Sequence, residues 1–224
     1  MVLISRMRKK LRWLGFVLAV ALMAAAVAGE PRNLSVLKQE IVAYVESGAY
    51  ERDIKAVIAP AMDFVATRAA DKAAGERLAM ILDIDETALT NLRHMRSLDF
   101  GYVPAEWDAW VAQGEAPAIP PVLELFRVAR SAGVEVIFIT GRKESDRLGT
   151  EKNLRAAGFG DYAALVLKPN GARMTTEQFK TETRARLVAE GRTLIANVGD
   201  QASDLAGGFA ERTFKVPGPF YQTK

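Results

Sequence analysis

Residues 78–82 form an unbroken apolar run, Leu-Ala-Met-Ile-Leu, that ends in Asp83-Ile84-Asp85-Glu86-Thr87. A short continuous apolar run bounded by polar residues reads as a strand buried on both faces, as in the middle of a parallel sheet. Such sheets bind ligands beyond the carboxyl ends of their strands, which is where Asp83 and Asp85 would stand. Two apart on an extended chain, they would point to the same side. Carboxylates held that close repel one another unless a cation offsets the charge. Taken alone, the pair also fits a solvated turn after a strand. An EF-hand loop is excluded, although Asp-x-Asp-x-Thr opens like one. Ala88 stands at its sixth position where glycine is needed, and His94 at its twelfth where glutamate is needed.

The rest of the chain supplies the sheet that this strand needs. Residues 120–132, 144–157, 176–190 and 203–208 read as helices, and 134–139, 163–167, 193–198 and 212–216 as strands. Strands alternating with helices of roughly 10–15 residues imply an α/β fold with a doubly wound parallel sheet. Ahead of it, residues 33–74 are helical in pattern. Asn33 is a candidate N-cap, Leu37, Ile41, Tyr44 and Val45 make one stripe, and Ser47-Gly48 a stop. A second stripe runs through Ile54, Val57, Ile58, Ala61, Met62 and Val65, and Pro60 inside it predicts a kink or a split. Neither helix can bury its stripe alone, so both are expected to pack on the main domain. Residues 89–118 lack steady periodicity. They leave directly from the Asp-rich loop and are expected to form a small cap over it.

The first 28 residues have a different character. Arg6, Arg8, Lys9, Lys10 and Arg12 precede a 16-residue apolar run that closes on Ala26-Val27-Ala28. Basic, apolar, then A-x-A is the order of a secretory signal peptide, and cleavage is expected after Ala28. The run is short of the ~20 residues of a membrane span, although a retained anchor is the other reading. Cleavage leaves 25 basic and 27 acidic residues, a net charge of −2, in a single domain of residues 29–224. The basic character of the whole chain therefore belongs to the leader and says nothing of nucleic acid. With no cysteine, disulfides, thiol chemistry and zinc–thiolate sites are excluded. The localisation expected is periplasmic or secreted, with no membrane contact once the leader is gone.

Two more strands end in polar residues. One gives Thr140-Gly141-Arg142, the other Gly199-Asp200-Gln201-Ala202-Ser203-Asp204. In a parallel sheet these ends meet Asp83 and Asp85 along one edge. With these residues the sequence resembles the haloacid dehalogenase (HAD) superfamily of phosphatases. Its four motifs are found as Asp83-x-Asp85-x-Thr87, Thr140-Gly141, a lysine, and Gly199-Asp200-x-x-x-Asp204. Leu-Asp-Ile-Asp-Glu-Thr, Phe-Ile-Thr-Gly-Arg and Val-Gly-Asp-Gln-x-Ser-Asp-Leu are similar to its exported, class B-like acid phosphatases and the related plant vegetative storage proteins. For the lysine, Lys168 closes a strand, whereas Lys180 opens a Lys-x-x-x-Arg helix start ending at Arg184, twenty residues before Asp200. The interval in the resembled family favours Lys180.

The resemblance implies a role for each residue. Asp83 would attack phosphorus and carry an aspartyl-phosphate, and Asp85 would act as general acid and then base. Thr140, the Gly141 N–H and Lys180 would hold the phosphoryl oxygens. The Asp83 carboxylate, the Asp85 main-chain carbonyl and the Asp200 carboxylate would ligate Mg²⁺, with Asp204 in support. Glu86 and Thr87 are expected to fix the loop. The substrate expected is a small phosphomonoester. A phosphotransferase on the same fold and a non-catalytic binding or storage protein are the competing readings. Histidine acid phosphatase chemistry is excluded because His94 is the only histidine. Trp107 and Trp110, three apart, share a face on a helix; they either stack an aromatic leaving group or form the cap's own core.

Overall fold

The computed structural model describes residues 30–223, so the basic and apolar leader lies outside the described residues. The chain divides at Gln39 into two units. In the first, the Ser35 N–H donates to Asn33 Oδ1 at 2.9 Å, the bond of an N-cap at the start of α1 (Leu34–Glu46). No α1 side chain is fully buried.

In the second unit, the apolar run is β1 (Arg77–Leu82), the centre of a five-stranded parallel sheet in the order β3-β2-β1-β4-β5. Its partners are β2 (Glu135–Lys143), β3 (Ala164–Lys168), β4 (Arg192–Gly199) and β5 (Arg212–Lys215). Ile81 lies opposite Ile137 of β2 and Asn197 of β4. Every β1 residue after Arg77 is buried, because helices cover both faces of the sheet. Leu78, Met80 and Leu82 face α2 (Ala49–Ala70) and α5 (Pro120–Ser131), among Ile54, Ile58, Leu125 and Phe126. Ala79 and Ile81 face the opposite way, towards Phe179 and Leu187 of α7 (Thr176–Ala189). The period of two is that of a strand.

From β1 the chain winds outward through β2 and β3, then returns to the other flank of β1 for β4 and β5. The direction reverses between β1 and β4, and that crevice is the switch point at which such sheets bind ligands.

Helix α2 buries Ile54, Ile58, Ala61 and Val65 of the predicted stripe, together with Tyr50, against the sheet and α5, while Val57 and Met62 are partly buried there. It runs unbroken through Pro60, so the split expected there does not occur. Pro60 and Ala56 both lie on the exposed face, where water can meet the carbonyl freed by the missing N–H. Burial of the opposite face outweighs the ~3 kcal/mol that an interior proline costs.

Residues 89–118 carry two short helices, α3 (Leu92–Ser97) and α4 (Pro104–Gln113). Helix α4 packs closely on α6 (Arg147–Ala156), where a Cβ at Gly149 would come within 2.3 Å of the Val111 carbonyl oxygen. Only glycine fits that approach. The remaining helix, α8 (Ala202–Leu205), follows β4 directly and is shorter than its pattern predicts.

Candidate active site

Asp83 is the first residue beyond β1. Its N–H donates to the Val198 carbonyl of β4 at 3.0 Å, which seats it over the crevice. Asp200 leaves the end of β4, and Asp204 stands on α8. Oxygens of Asp83, Asp200 and Asp204 lie within 4.8 Å of one another, and all three residues are buried. Lys180 reaches them from α7. The start of that helix is fixed by a reciprocal cap: Gln178 N–H donates to Thr175 Oγ1 at 3.1 Å, and Thr175 N–H to Gln178 Oε1 at 2.9 Å. Lys180 Nζ then donates to Asp83 Oδ1 and, at 2.6 Å, to Asp204 Oδ1. Lys168, the alternative lysine, ends β3 and does not line the pocket.

The cluster sets three carboxylates against one ammonium, out of water. Burial, then the field of Asp204, drives the Asp83 carboxyl well above its usual range despite the neighbouring lysine. Burial, then Asp204, likewise pushes Asp200 up to about 7. Burial alone would lower Lys180, but Asp83 and Asp204 outweigh it and hold the ammonium charged. Asp200 Oδ2 accepts the Gln201 amide at 2.5 Å, while its Oδ1 is buried without a hydrogen-bond partner. Surplus negative charge and an unpartnered buried oxygen suit a hard divalent cation, which takes oxygen ligands. Asp83, Asp200 and Asp204 fit one.

Asp85 sits in a loop that the strand pattern did not show. The chain does not stay extended past Asp83. Ala88 and Leu89 both donate to the Ile84 carbonyl at 2.9 Å, Glu86 donates to Leu89 O at 2.8 Å, and Glu86 adopts φ +59°. The Asp85 carboxylate lines the same pocket as Asp83 but is not one of the three that cluster. It pairs with Arg142, whose Nη2 donates at 2.7 Å and Nε at 3.1 Å to both oxygens, and it accepts Asn91 Nδ2 at 2.9 Å. The Arg142 side chain is only 1 % exposed and also donates to Thr150 Oγ1 at 3.1 Å.

The loop is held by Glu86, which is fully buried. It accepts the Asn91 N–H at 2.5 Å and the Thr90 hydroxyl at 3.1 Å, and burial pushes its carboxyl up to about 8. Thr87 Oγ1 is buried without a partner, so its hydroxyl is not a brace. Thr140 and Gly141 lie within β2, which runs further than its apolar pattern. Thr140 is buried, its Oγ1 accepting the Arg142 N–H at 3.1 Å, and Gly141 opens onto the pocket.

That pocket, about 440 Å³, rises from the carboxylates. The two tryptophans of α4 divide its construction. Trp110 belongs to the cap's own core: it is 6 % exposed, donates from Nε1 to Asn91 Oδ1 at 2.8 Å and stacks on His94 at 5.5 Å. Trp107 lines the pocket, with the Arg142 guanidinium 5.6 Å from its ring centre. The C-terminal segment adds Phe220 and Tyr221 to the lining. Sequence reasoning gave no role to Arg142, Asn91, Gln201 or this segment. For Arg142 the signal was its place directly after Thr140-Gly141; for the tail there was none.

A family model described as HAD superfamily, subfamily IIIB (acid phosphatase), matches residues 17–224. Acid phosphatase 1 of Solanum lycopersicum is 35% identical over 185 residues, 80% of this chain and 71% of that protein. Vegetative storage protein 1 of Arabidopsis thaliana is 33% identical over 145 residues, 63% of this chain and 54% of that protein. The class C acid phosphatase from Bacillus anthracis shares the fold, with a TM-score of 0.68 at 23% identity over 84% of this chain and 87% of its own. With the family match spanning the sheet and every residue gathered at its switch point, the chain belongs to the acid phosphatases of HAD subfamily IIIB and is a phosphomonoesterase.

Proposed function

We propose that this phosphatase is exported and hydrolyses small phosphomonoesters through a phosphate carried transiently on Asp83, with Mg²⁺ as its metal. The observation that supports this most directly is the meeting of Asp83, Lys180, Asp200 and Asp204 at the switch point. An Asp83 oxygen attacks phosphorus as the ester P–O bond breaks, and Asp85 gives its proton to the departing alkoxide oxygen. Water then attacks the phosphorus of the aspartyl-phosphate and loses a proton to Asp85. The bond from phosphorus to Asp83 breaks, and phosphate leaves. Thr140, the Gly141 N–H and Lys180 hold the phosphoryl oxygens in both steps. Asp83, the Asp85 main-chain carbonyl and Asp200, with Asp204 in support, would hold Mg²⁺, which would supply charge neutralisation at the phosphoryl group.

The active domain is residues 29–224, with a helical part at 33–74 and the cap at 89–118. Trp107 and Tyr221 give the pocket an aromatic rim suited to flat alcohols, nucleosides among them, since a base on an aromatic ring gains ~1–3 kcal/mol. The purified chain is expected to hydrolyse p-nitrophenyl phosphate at mildly acidic pH, to lose that activity on exhaustive chelation and to regain it with Mg²⁺. Full activity after chelation would overturn the metal assignment. Adding acceptor alcohols separates hydrolysis, which yields free phosphate, from transfer, which yields a new ester.

Export rests on the leader. N-terminal sequencing of protein from the soluble exported fraction is expected to begin at Gly29; an intact Met1 in the membrane fraction would show a retained anchor instead. Among the described residues no helix is long and apolar enough to cross a membrane.

A further inference from the structure

Beyond β5 the chain does not trail into solvent. The Val216 N–H donates to the Gly199 carbonyl at 3.0 Å, and residues 217–223 then pass over Asp200 as a strap. The approach is close. A Cβ at Gly218 would lie 2.6 Å from Asp200 Oδ2 and 2.8 Å from the Asp200 carbonyl oxygen. The strap is anchored at Phe220, whose ring packs 5.3 Å from that of Tyr50 and 6.4 Å from that of Phe100. Its far end is tied down by Ser203 and Thr223, whose hydroxyls lie 2.8 Å apart.

One side chain joins the strap to the carboxylate cluster. Gln201 is 6 % exposed. Its Nε2 donates to Asp200 Oδ2 at 2.5 Å and to the Tyr221 carbonyl at 3.3 Å, and its Oε1 accepts the Thr223 N–H at 3.2 Å. Its own N–H donates to Asp204 Oδ2 at 2.8 Å. Glutamine suits this position chemically. Two amide hydrogens serve two acceptors and the amide oxygen serves one donor, whereas glutamate would lose both donors and add charge beside Asp200 and Asp204.

We propose that Gln201 is a positioning residue for the phosphatase reaction, clasping the C-terminal strap to Asp200 and holding that carboxylate in the orientation that retains the metal. With Oδ2 fixed by the amide, the unpartnered Oδ1 is left as the ligand atom. Groups that orient a metal ligand in this way typically change metal affinity 10–100-fold when removed. The inference rests on the Mg²⁺ reading of the site.

The test is calorimetric titration of Mg²⁺ into the chelator-stripped full mature chain and its Gln201→Met and Gly218→Ala variants. Gln201→Met keeps the length and removes every side-chain hydrogen bond. Gly218→Ala leaves Gln201 in place and pushes the strap off Asp200. Each is expected to raise the Mg²⁺ Kd about 10–100-fold. The double variant should be little weaker than the poorer single one, because both act through one carboxylate. At saturating Mg²⁺, Gln201→Met should recover most of its kcat on p-nitrophenyl phosphate, which a simply misfolded protein would not. If Gln201→Met does not fold, Gly218→Ala carries the test alone. An Mg²⁺ Kd within about twofold of the parent in the folded variants overturns the clasp and leaves the metal reading standing. Absence of Mg²⁺ binding by the parent overturns both.

Discussion

Asp83→Asn is expected to reduce turnover about 10⁶-fold, to the detection floor, as loss of a covalent nucleophile does elsewhere. No phospho-enzyme should be trapped, and Mg²⁺ should bind more weakly because one ligand is gone. The informative part is stability. Asp83 is buried beside two other carboxylates, and burial with the Asp204 field raises its carboxyl well above the usual range. A carboxyl whose folded pKa exceeds its unfolded value binds its proton more tightly when folded. Its contribution to stability therefore falls as pH rises out of the ordinary carboxylate range. Asparagine removes that penalty while Lys180 keeps Asp204 at 2.6 Å. The metal-free variant should thus melt no lower than the parent at pH 8, and its advantage should shrink towards pH 4. Inactivity with undiminished stability identifies a chemical role. Hydrolysis at a tenth of the parent rate would place the nucleophile elsewhere.

The part of the molecule legible in the sequence is the part governed by local pattern. The run from Leu78 to Leu82 marks the central strand because burial on both faces admits no polar residue. The polar ends of β1, β2 and β4 meet because parallel strands must share an edge. The same pattern places Asp83 and Asp200 together, whereas Lys180 was singled out only through the family resemblance. What pattern could not show depends on contacts between distant parts of the chain. The fold-back after Ile84 is made by hydrogen bonds rather than by hydrophobicity, so the direction of the Asp85 carboxylate could not be inferred from two-residue spacing. Pro60 is tolerated because of which face it occupies. The strap has no periodicity, and Phe220 gains its place from distant residues such as Tyr50 and Phe100, which arrive from α2 and the cap.

Asp85→Asn should lower kcat ~10²–10⁴-fold, the usual worth of a positioned proton donor and acceptor. It should also leave phosphate on Asp83. p-Nitrophenol leaves with little need of protonation, so the first step survives in part. Hydrolysis of the intermediate then stalls because nothing takes a proton from the water. The expected trace is a burst of about one p-nitrophenol per enzyme followed by a slow phase. Mg²⁺ affinity should stay near that of the parent, since the proposed contact of Asp85 is its main-chain carbonyl. The pairing with Arg142 adds a complication that the sequence did not show. That guanidinium is 1 % exposed, and its charge would lose its carboxylate partner. Breaking a buried pair costs up to ~3–5 kcal/mol, less here because the asparagine oxygen and Thr150 still accept. Activity could then fall through folding rather than chemistry. Asp85→Asn combined with Arg142→Met separates the two, because it removes the stranded charge together with the proton carrier. Melting should recover towards the parent while kcat stays low. If activity returns with stability, Asp85 serves only to hold Arg142, and the acid–base assignment falls. If the trapped phosphate sits on Asp85, nucleophile and acid are reversed.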